Sequence, residues 1–461
     1  MHDQPRDRAV VLGGGMAGLL AARVLAETYA EVLLVDRDDL VGVTGYRKGV
    51  PHGRHAHGLV ARGHQILEAQ FPGLTQGMQD SGVQPGDFSG EIRWYFSGQR
   101  LRPSHSGLAS VPATRPVLEQ HVRNRVAAIP NIRFLERHDI IGLETTPDAS
   151  RVTGARVQRH GDNSQPEVLR ADLVIDVTGR GSRAPVWLRE LGYAPPAEDR
   201  VKVDLAYTTR HYRVPYDPFG SDIAIIAAAT PSHPRGAFFY RLPGGGNRVE
   251  LSLTGVLGDH PPTDPEGFLD FVRSLPVPDI YPAIHDSEPL DDPVRFRFPA
   301  SVRRRYERLS RFPDGLLVMG DAVCSFNPVY AQGMTVAALE SLTLREHLQR
   351  SAALRPLDFF HAIAGLIDSP WEFAGSADLG YSGVEGRRTM KVRMINAYVP
   401  RLHSAAVQDS SLTNAFVRVA GLIDEPTTLL RPGKLLRVLW HARRQPPGAT
   451  TPNVPLAAAR D

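Results

Sequence analysis

The 461-residue chain contains one cysteine, Cys324. A single thiol forms neither an internal disulfide nor a cysteine-based zinc site, so the fold does not depend on oxidising surroundings and a cytoplasmic location is expected. Lysine is nearly missing, occurring only at Lys48, Lys202, Lys391 and Lys434, so the 53 basic residues are almost all arginine. No apolar run reads as a membrane span or an export signal. The most apolar early stretch, Ala9 to Leu25, is broken by glycines and Arg23, which suits a buried strand, turn and helix. No repeat with a period of roughly 20 to 50 residues occurs, which argues against solenoids and propellers. A serine hydrolase is disfavoured because there is no G-x-S-x-G elbow. The arginines sit in no recognisable nucleic-acid motif, so nucleic acid is not expected as a partner.

What is present is an ordinary globular composition, with 42% hydrophobic and 22% charged residues and a net charge of +3. The length suits two to three domains or one elaborated α/β enzyme. The charge is uneven. Arg387 to Arg444 holds 11 basic and 3 acidic residues, which reads either as a solvated helical face or as a weak peripheral contact with a membrane or other anions. Residues 446–461, rich in Pro, Thr and Ala, read as a flexible tail.

The first chemical signal is local. Ala9-Val10-Val11-Leu12 is a short apolar run suited to a buried parallel strand, and it enters Gly13-Gly14-Gly15-Met16-Ala17-Gly18 and a helical pattern. A second strand, Val32 to Val35, ends at Asp36. Gly13, Gly15 and Gly18 thus form G-x-G-x-x-G in a strand-turn-helix setting. The first glycine permits the turn, the second admits a pyrophosphate and the third allows close helix packing. Asp36 would accept hydrogen bonds from adenosine ribose hydroxyls, which favours FAD or NAD over NADP as the tightly held dinucleotide.

Two distant segments repeat the strand-then-glycine plan. Ala171 to Val177 runs into Thr178-Gly179-Arg180-Gly181, and Gly315 to Met319 runs into Gly320-Asp321. The second continues through Asn327-Pro328 to Gln332-Gly333-Met334 and a helix with Val336, Leu339 and Leu342 on one face. Asp321 is placed to bind a ribityl hydroxyl, and the helix opening at Gly333 to direct its positive end at a flavin.

The order of these motifs resembles the group A flavoprotein monooxygenases of the para-hydroxybenzoate hydroxylase fold over roughly residues 8 to 350. The resemblance implies an α/β fold: a Rossmann-like FAD-binding domain at 1–190 and 290–350 and a substrate-binding sheet domain at 191–289 with part of 80–110. A C-terminal helical region at 351–445 follows. It also implies FAD contacts from Gly13, Gly15, Met16, Ala17, Gly18, Asp36, Arg37, Arg54, Arg115, Thr178, Gly179, Gly320, Asp321, Pro328, Gly333 and Met334. Arg115 also reads as a solvated arginine at a helix start, in the helical stretch Pro116 to Val126.

The sequence departs from the commonest pattern at Thr178-Gly179 and at Ala322-Val323-Cys324, and with "GVPHGRHAHGL" (49–59) it looks closer to the polyether epoxidases that are similar to squalene epoxidase. That likeness implies NAD(P)H as a transient electron donor, directly or through a flavin reductase, and O2 as co-substrate. A flavin C4a-hydroperoxide would epoxidise a lipophilic polyketide or terpenoid. Aromatic hydroxylation, which wants a placed base, and a geranylgeranyl-reductase-like activity are the alternatives; no base is identifiable from sequence.

The remaining features leave choices open. His52, His55 and His57 lack the further ligands a metal site needs; the resemblance implies a loop over the flavin with Arg47 or Arg54 reaching phosphate, and a hydrogen-bonded surface loop is the alternative. Residues 201–212, 221–229, 236–242 and 248–255 read as strands, with a hairpin turn at Gly244-Gly245-Gly246. Phe238, Phe239 and Tyr240 are roof or core residues, and Asp368 to Tyr381 is a candidate pocket wall.

Overall fold

The computed structural model describes residues 6–161, 164–350 and 354–444, so the expected C-terminal tail lies outside the described residues. Its base is a five-stranded sheet in the spatial order Leu316–Val318, Leu173–Asp176, Arg6–Leu12, Tyr29–Val35, Ile132–Leu135, with every pair parallel. Ala9 to Leu12, Val32 to Val35 and Leu316 to Val318 are buried throughout. Their unbroken apolar runs fit strands covered on both faces. Leu12 is level with both Val35 and Asp176, and Asp176 with Val318. The three glycine-bearing turns and Asp36 therefore leave the same carboxyl edge, where open α/β sheets bind ligands. Helix Met16–Leu25 packs against helices Arg115–Ala127 and Gly333–Arg350.

A second, larger sheet is built on Glu198–Arg213, Arg248–Gly255, Arg235–Arg241, Ala224–Ala228 and Ile92–Phe96. Val294–Arg304 pairs along its whole length with residues 198–209 of Glu198–Arg213, apart from a bulge between Lys202 and Leu205. The sheet therefore runs past residue 289 into the stretch assigned from sequence to the cofactor domain; a long antiparallel partner strand, not the parallel base, claims those residues. Gly244, Gly245 and Gly246 all have φ between +72° and +94°, and they turn the chain between Arg235–Arg241 and Arg248–Gly255.

Alternation along Arg235–Arg241 separates its aromatics. Phe239 packs into a core with Phe219, Leu251 and Phe268 beneath helices Pro265–Ser274 and Ile280–Ile284. Tyr240 belongs instead to a cluster with Leu402 and Phe416 of the C-terminal helices. Helix Pro356–Asp378 packs against Gly333–Arg350 and the base core, whereas Met390–Ala406 and Ser410–Ala420 cover the second sheet and Pro432–Arg444 packs on Met390–Ala406. Among the described residues no helix is long and apolar enough to cross a membrane.

Candidate active site

At the first turn Gly13 has φ +115° and its Cβ position lies 2.7 Å from the Val177 carbonyl oxygen, so no side chain fits there. A Cβ at Gly18 would collide with the carbonyl oxygen of Gly13, which lets the helix press on the turn. By contrast, no atom lies within 4 Å of the Cβ position of Gly15, Gly179 or Gly181. These three glycines, in the first and second motifs, border open space. Met16 is the buried first residue of its helix. Ala17 abuts the third motif, its Cβ 2.9 Å from the Cβ position of Gly320.

Asp36 is buried and already engaged: its Oδ2 accepts from the Gly14 N–H at 2.6 Å and its Oδ1 from the Asp38 N–H at 2.8 Å. Burial holds its carboxyl above the ordinary value, against these N–H groups and Arg47. The arginine beside it is Arg47, whose Nη1 lies 3.6 Å from Asp36 and 3.3 Å from Asp38. Arg37, expected on the adenosine side, is exposed and lies 4.0 Å from Asp139. Arg54 is also exposed and lies over the Tyr46 ring, 5.0 Å from its centroid. Both long side chains stay in water, and the buried position goes to Arg47.

Arg115 is buried, not solvated. Its Nε donates to Glu119 Oε2 at 2.9 Å. Glu119 Oε1 accepts from Arg47 at 2.6 Å and from Arg123 at 3.2 Å. Burial alone would raise the Glu119 carboxyl, but Arg115 and Arg47 outweigh it and hold it below its ordinary value. Three guanidiniums thus converge on one carboxylate beside the glycine turn, and Arg47 is shared with Asp36 and Asp38. Glu119 and Arg123 were not singled out from sequence, although the spacing Arg115, Glu119, Arg123 puts them on one helical face.

The second and third motifs meet through Arg304, also missed. Its Nη2 donates to the Arg180 carbonyl at 3.1 Å and its Nη1 to the Ala322 carbonyl at 2.8 Å. Thr178 donates both its N–H and its hydroxyl to Asp176 Oδ1, at 2.9 and 2.6 Å, and Gly179 has φ +76°. Asp321 is half-buried with no hydrogen bond among the described residues. Burial raises its carboxyl, against Arg180, Arg115 and Arg304. Its Oδ1 lies 3.6 Å from the Cβ position of Gly333, where helix Gly333–Arg350 begins. Met334 is half-buried against the base core. Behind the third motif, the Gly320 N–H donates to Glu340 Oε2 at 2.6 Å. Glu340 is fully buried, and burial pushes its carboxyl up to about 8.

The histidine loop is fastened to the second sheet. His55 Nδ1 lies 2.8 Å from Thr209 Oγ1, and the Ala56 N–H donates to Ser252 Oγ at 2.9 Å. Burial pushes His52 down to about 3 and His55 to about 4, so both are neutral near pH 7. No group of three His, Cys, Asp or Glu residues suited to a metal occurs among the described residues.

Beyond this loop lies a cavity of ≈ 1590 Å3. His57 and Gly58 border it on one side, Pro328 to Ala331 on another, and Ile226, Phe238 and Tyr240 form its roof. The wall from helix Pro356–Asp378 includes Phe373 and Asp378. Asp378 is 1% exposed; its Oδ1 accepts from Asn327 Nδ2 and from the Tyr330 hydroxyl, both at 2.8 Å. Burial pushes its carboxyl up to about 6, against those two donors. It is a titratable group at the cavity that sequence reasoning did not isolate.

A family model for FAD dependent oxidoreductases matches residues 9–186. The chain is 35% identical over 364 residues to Protein Rv3254 of Mycobacterium tuberculosis, covering 76% of this chain and 75% of that one. It is 25% identical over 344 residues to digeranylgeranylglycerophospholipid reductase 2 of Methanopyrus kandleri, covering 70% and 72%. Among solved structures, flavin-dependent brominase Bmp2 is similar with a TM-score of 0.66 at 15% identity, covering 96% of this chain and 100% of that chain. PqsL, a probable FAD-dependent monooxygenase from Pseudomonas aeruginosa, reaches 0.57 at 17% identity, with 90% and 99% covered. At such identities the likeness to solved structures is one of fold. The chain therefore belongs to one family with Protein Rv3254, and its residues 9–186, which carry the first two glycine turns at the sheet edge, match the FAD dependent oxidoreductases.

Proposed function

We propose that the protein is a monooxygenase that transfers one oxygen atom of O2 to an alkene of a lipophilic polyketide or terpenoid. The observation that carries this is the large cavity bordered by Pro328 to Ala331, the segment leading into the helix at Gly333 beside Asp321. FAD fits the residues present: open space faces Gly15, Gly179 and Gly181, and Asp321 has an unengaged carboxylate beside it. The Gly13–Gly18 turn and the start of its helix would hold the pyrophosphate, with Arg115 and Arg47 supplying positive charge. Asp36 would take the adenosine ribose, Asp321 the ribityl chain, and the helix start at Gly333 the flavin's pyrimidine edge. Held there, FAD would supply the redox chemistry, with electrons from NAD(P)H, directly or through a flavin reductase, and O2 as co-substrate.

The chain's own part is to orient the substrate and exclude water. Phe88, Ile92, Trp94, Ile226, Phe238 and Phe373 give the cavity an apolar surface against which a hydrocarbon substrate packs. An alkene needs no base, because its π bond is the nucleophile. Two other readings each have one observation behind them. Asp378, a carboxyl poised near neutrality at the cavity, favours hydroxylation of a phenol. The Methanopyrus kandleri relative favours reduction of an isoprenoid.

The test is to reduce FAD-saturated protein with NADPH under anaerobic conditions and then add isotopically labelled O2 with a candidate polyene. One labelled oxygen across an alkene supports the reading. Labelled oxygen on an aromatic carbon, in a parallel reaction with a phenol, transfers it to hydroxylation. Reduced polyene with O2 consumed only to free peroxide overturns it in favour of a reductase.

A further inference from the structure

Six large apolar side chains between residues 390 and 440 stand in solvent: Met390, Met394, Leu430, Leu436, Leu439 and Trp440, from 48% exposed at Trp440 to 73% at Met390. The other exposed large apolar residues, such as Val41, Val168 and Tyr216, are scattered through the chain. In the terminal helix Pro432–Arg444, Leu436, Leu439, Trp440 and Arg443 fall at i, i+3, i+4 and i+7, on one stripe. Val438 and His441 face the other way and are buried. A solvated helix turns polar residues outward; this one turns leucine and tryptophan outward. The stripe also continues to the cavity. Met394 and Leu430 are both exposed and lining residues, so they form the rim, and Leu435 beside Leu436 lines the cavity too.

Positive charge surrounds this rim. Arg393, Arg401, Arg431, Arg437 and Arg443 are exposed, with Lys391 and Lys434 nearby. The acids on these elements are already engaged: Glu372 with Lys391 at 2.5 Å, Asp409 with Arg437 at 2.9 Å, Asp424 with Arg418 at 2.8 Å, and Glu425 with Ser369 at 3.3 Å. From Arg387 to Arg444 the balance remains 11 basic to 3 acidic residues.

We propose that this face seats on an anionic lipid bilayer, with the outward stripe of the terminal helix and Met390 and Met394 at the boundary between headgroups and acyl chains. The cavity mouth then faces lipid, and a bilayer-dissolved substrate enters without crossing water. Apolar anchors ringed by arginine are the composition of an interfacial helix, and tryptophan prefers that depth. A second copy of the chain is the poorer occupant. A two-fold interface would set the same arginines against their own copies and close the cavity mouth. The proposal does not depend on which reaction the flavin site performs.

The test is flotation of the FAD-saturated protein with vesicles of phosphatidylcholine alone and with added phosphatidylglycerol. Expected are binding to the anionic vesicles at low salt, release as salt rises, and a blue shift of emission that Trp440→Phe removes. A Leu436→Ser/Leu439→Ser double variant should bind at least about tenfold more weakly, with melting temperature and flavin content unchanged. Protein that stays unbound at low salt overturns the proposal. So does a double variant that binds like the parent, or one that instead turns a dimer in sedimentation into a monomer without any vesicle binding by the parent.

Discussion

Single residues at the site differ in what they can tolerate. Cys324 is 2% exposed on a short strand paired with Arg303, and burial pushes its thiol well up, away from reactive thiolate. Cys324→Ala should therefore keep turnover and flavin content. Asp321→Ala, which removes an unengaged carboxylate, should weaken FAD binding by roughly tenfold or more in a fluorescence titration. Glu340 gives a pH dependence with a definite sign. Its folded value of about 8 lies above the ordinary 4.5, so its contribution is full below pH 4.5 and is lost as pH rises through about 8. Stability should fall across that window by up to about 1.4 kcal/mol per pH unit. Glu340→Gln, which still accepts from Gly320, should flatten the slope in denaturant melts between pH 6 and 9. At Asp378, epoxidation and hydroxylation separate. With an alkene substrate, Asp378→Asn should leave kcat within about threefold. Loss of roughly a hundredfold, together with loss of an inflection near pH 6, would mark a base acting on a phenol.

At the scale of elements, the helix Arg115–Ala127 delivers the site's charge. Arg115, Glu119 and Arg123 share a face, and Arg47 reaches the same carboxylate from a loop far away in sequence. Removing the shared partner takes the carboxylate from buried Arg115, while Arg47 keeps Asp36 and Asp38; breaking a buried pair costs about 3–5 kcal/mol in comparable cases. Glu119→Gln should therefore lower the melting temperature of the FAD-free protein, while FAD, bringing its own phosphate charge, should recover more stability in the variant than in the parent. Thermal melts with and without FAD check both signs. The helix itself was legible from sequence, within a residue of its observed start and end. Its partners were not, because a contact between Arg47 and Glu119 leaves no trace in either local pattern.

Over the whole molecule, the glycine turns lie at the edge of the parallel base, and the histidine loop binds the second sheet through His55 to Thr209 and Ala56 to Ser252. FAD at about a hundred times its dissociation constant should raise the unfolding free energy by about 2.7 kcal/mol, measurable as a shift of the melting curve. The sequence by itself determined four of the five strands of the parallel base, the three glycine turns and their order. Each is a run of adjacent residues whose backbone geometry is set by its own composition: unbroken apolar strands, glycines where a Cβ collides. Only the tertiary structure decided that Arg47 is buried beside Asp36 while Arg37 and Arg54 stay in water, that Arg304 joins two turns, and that Asp378 comes to the cavity. It also decided which side of the terminal helix faces out. A helical rhythm gives the angle between Leu436 and Val438, but which of them is covered depends on the neighbours that chain folding brings to that helix.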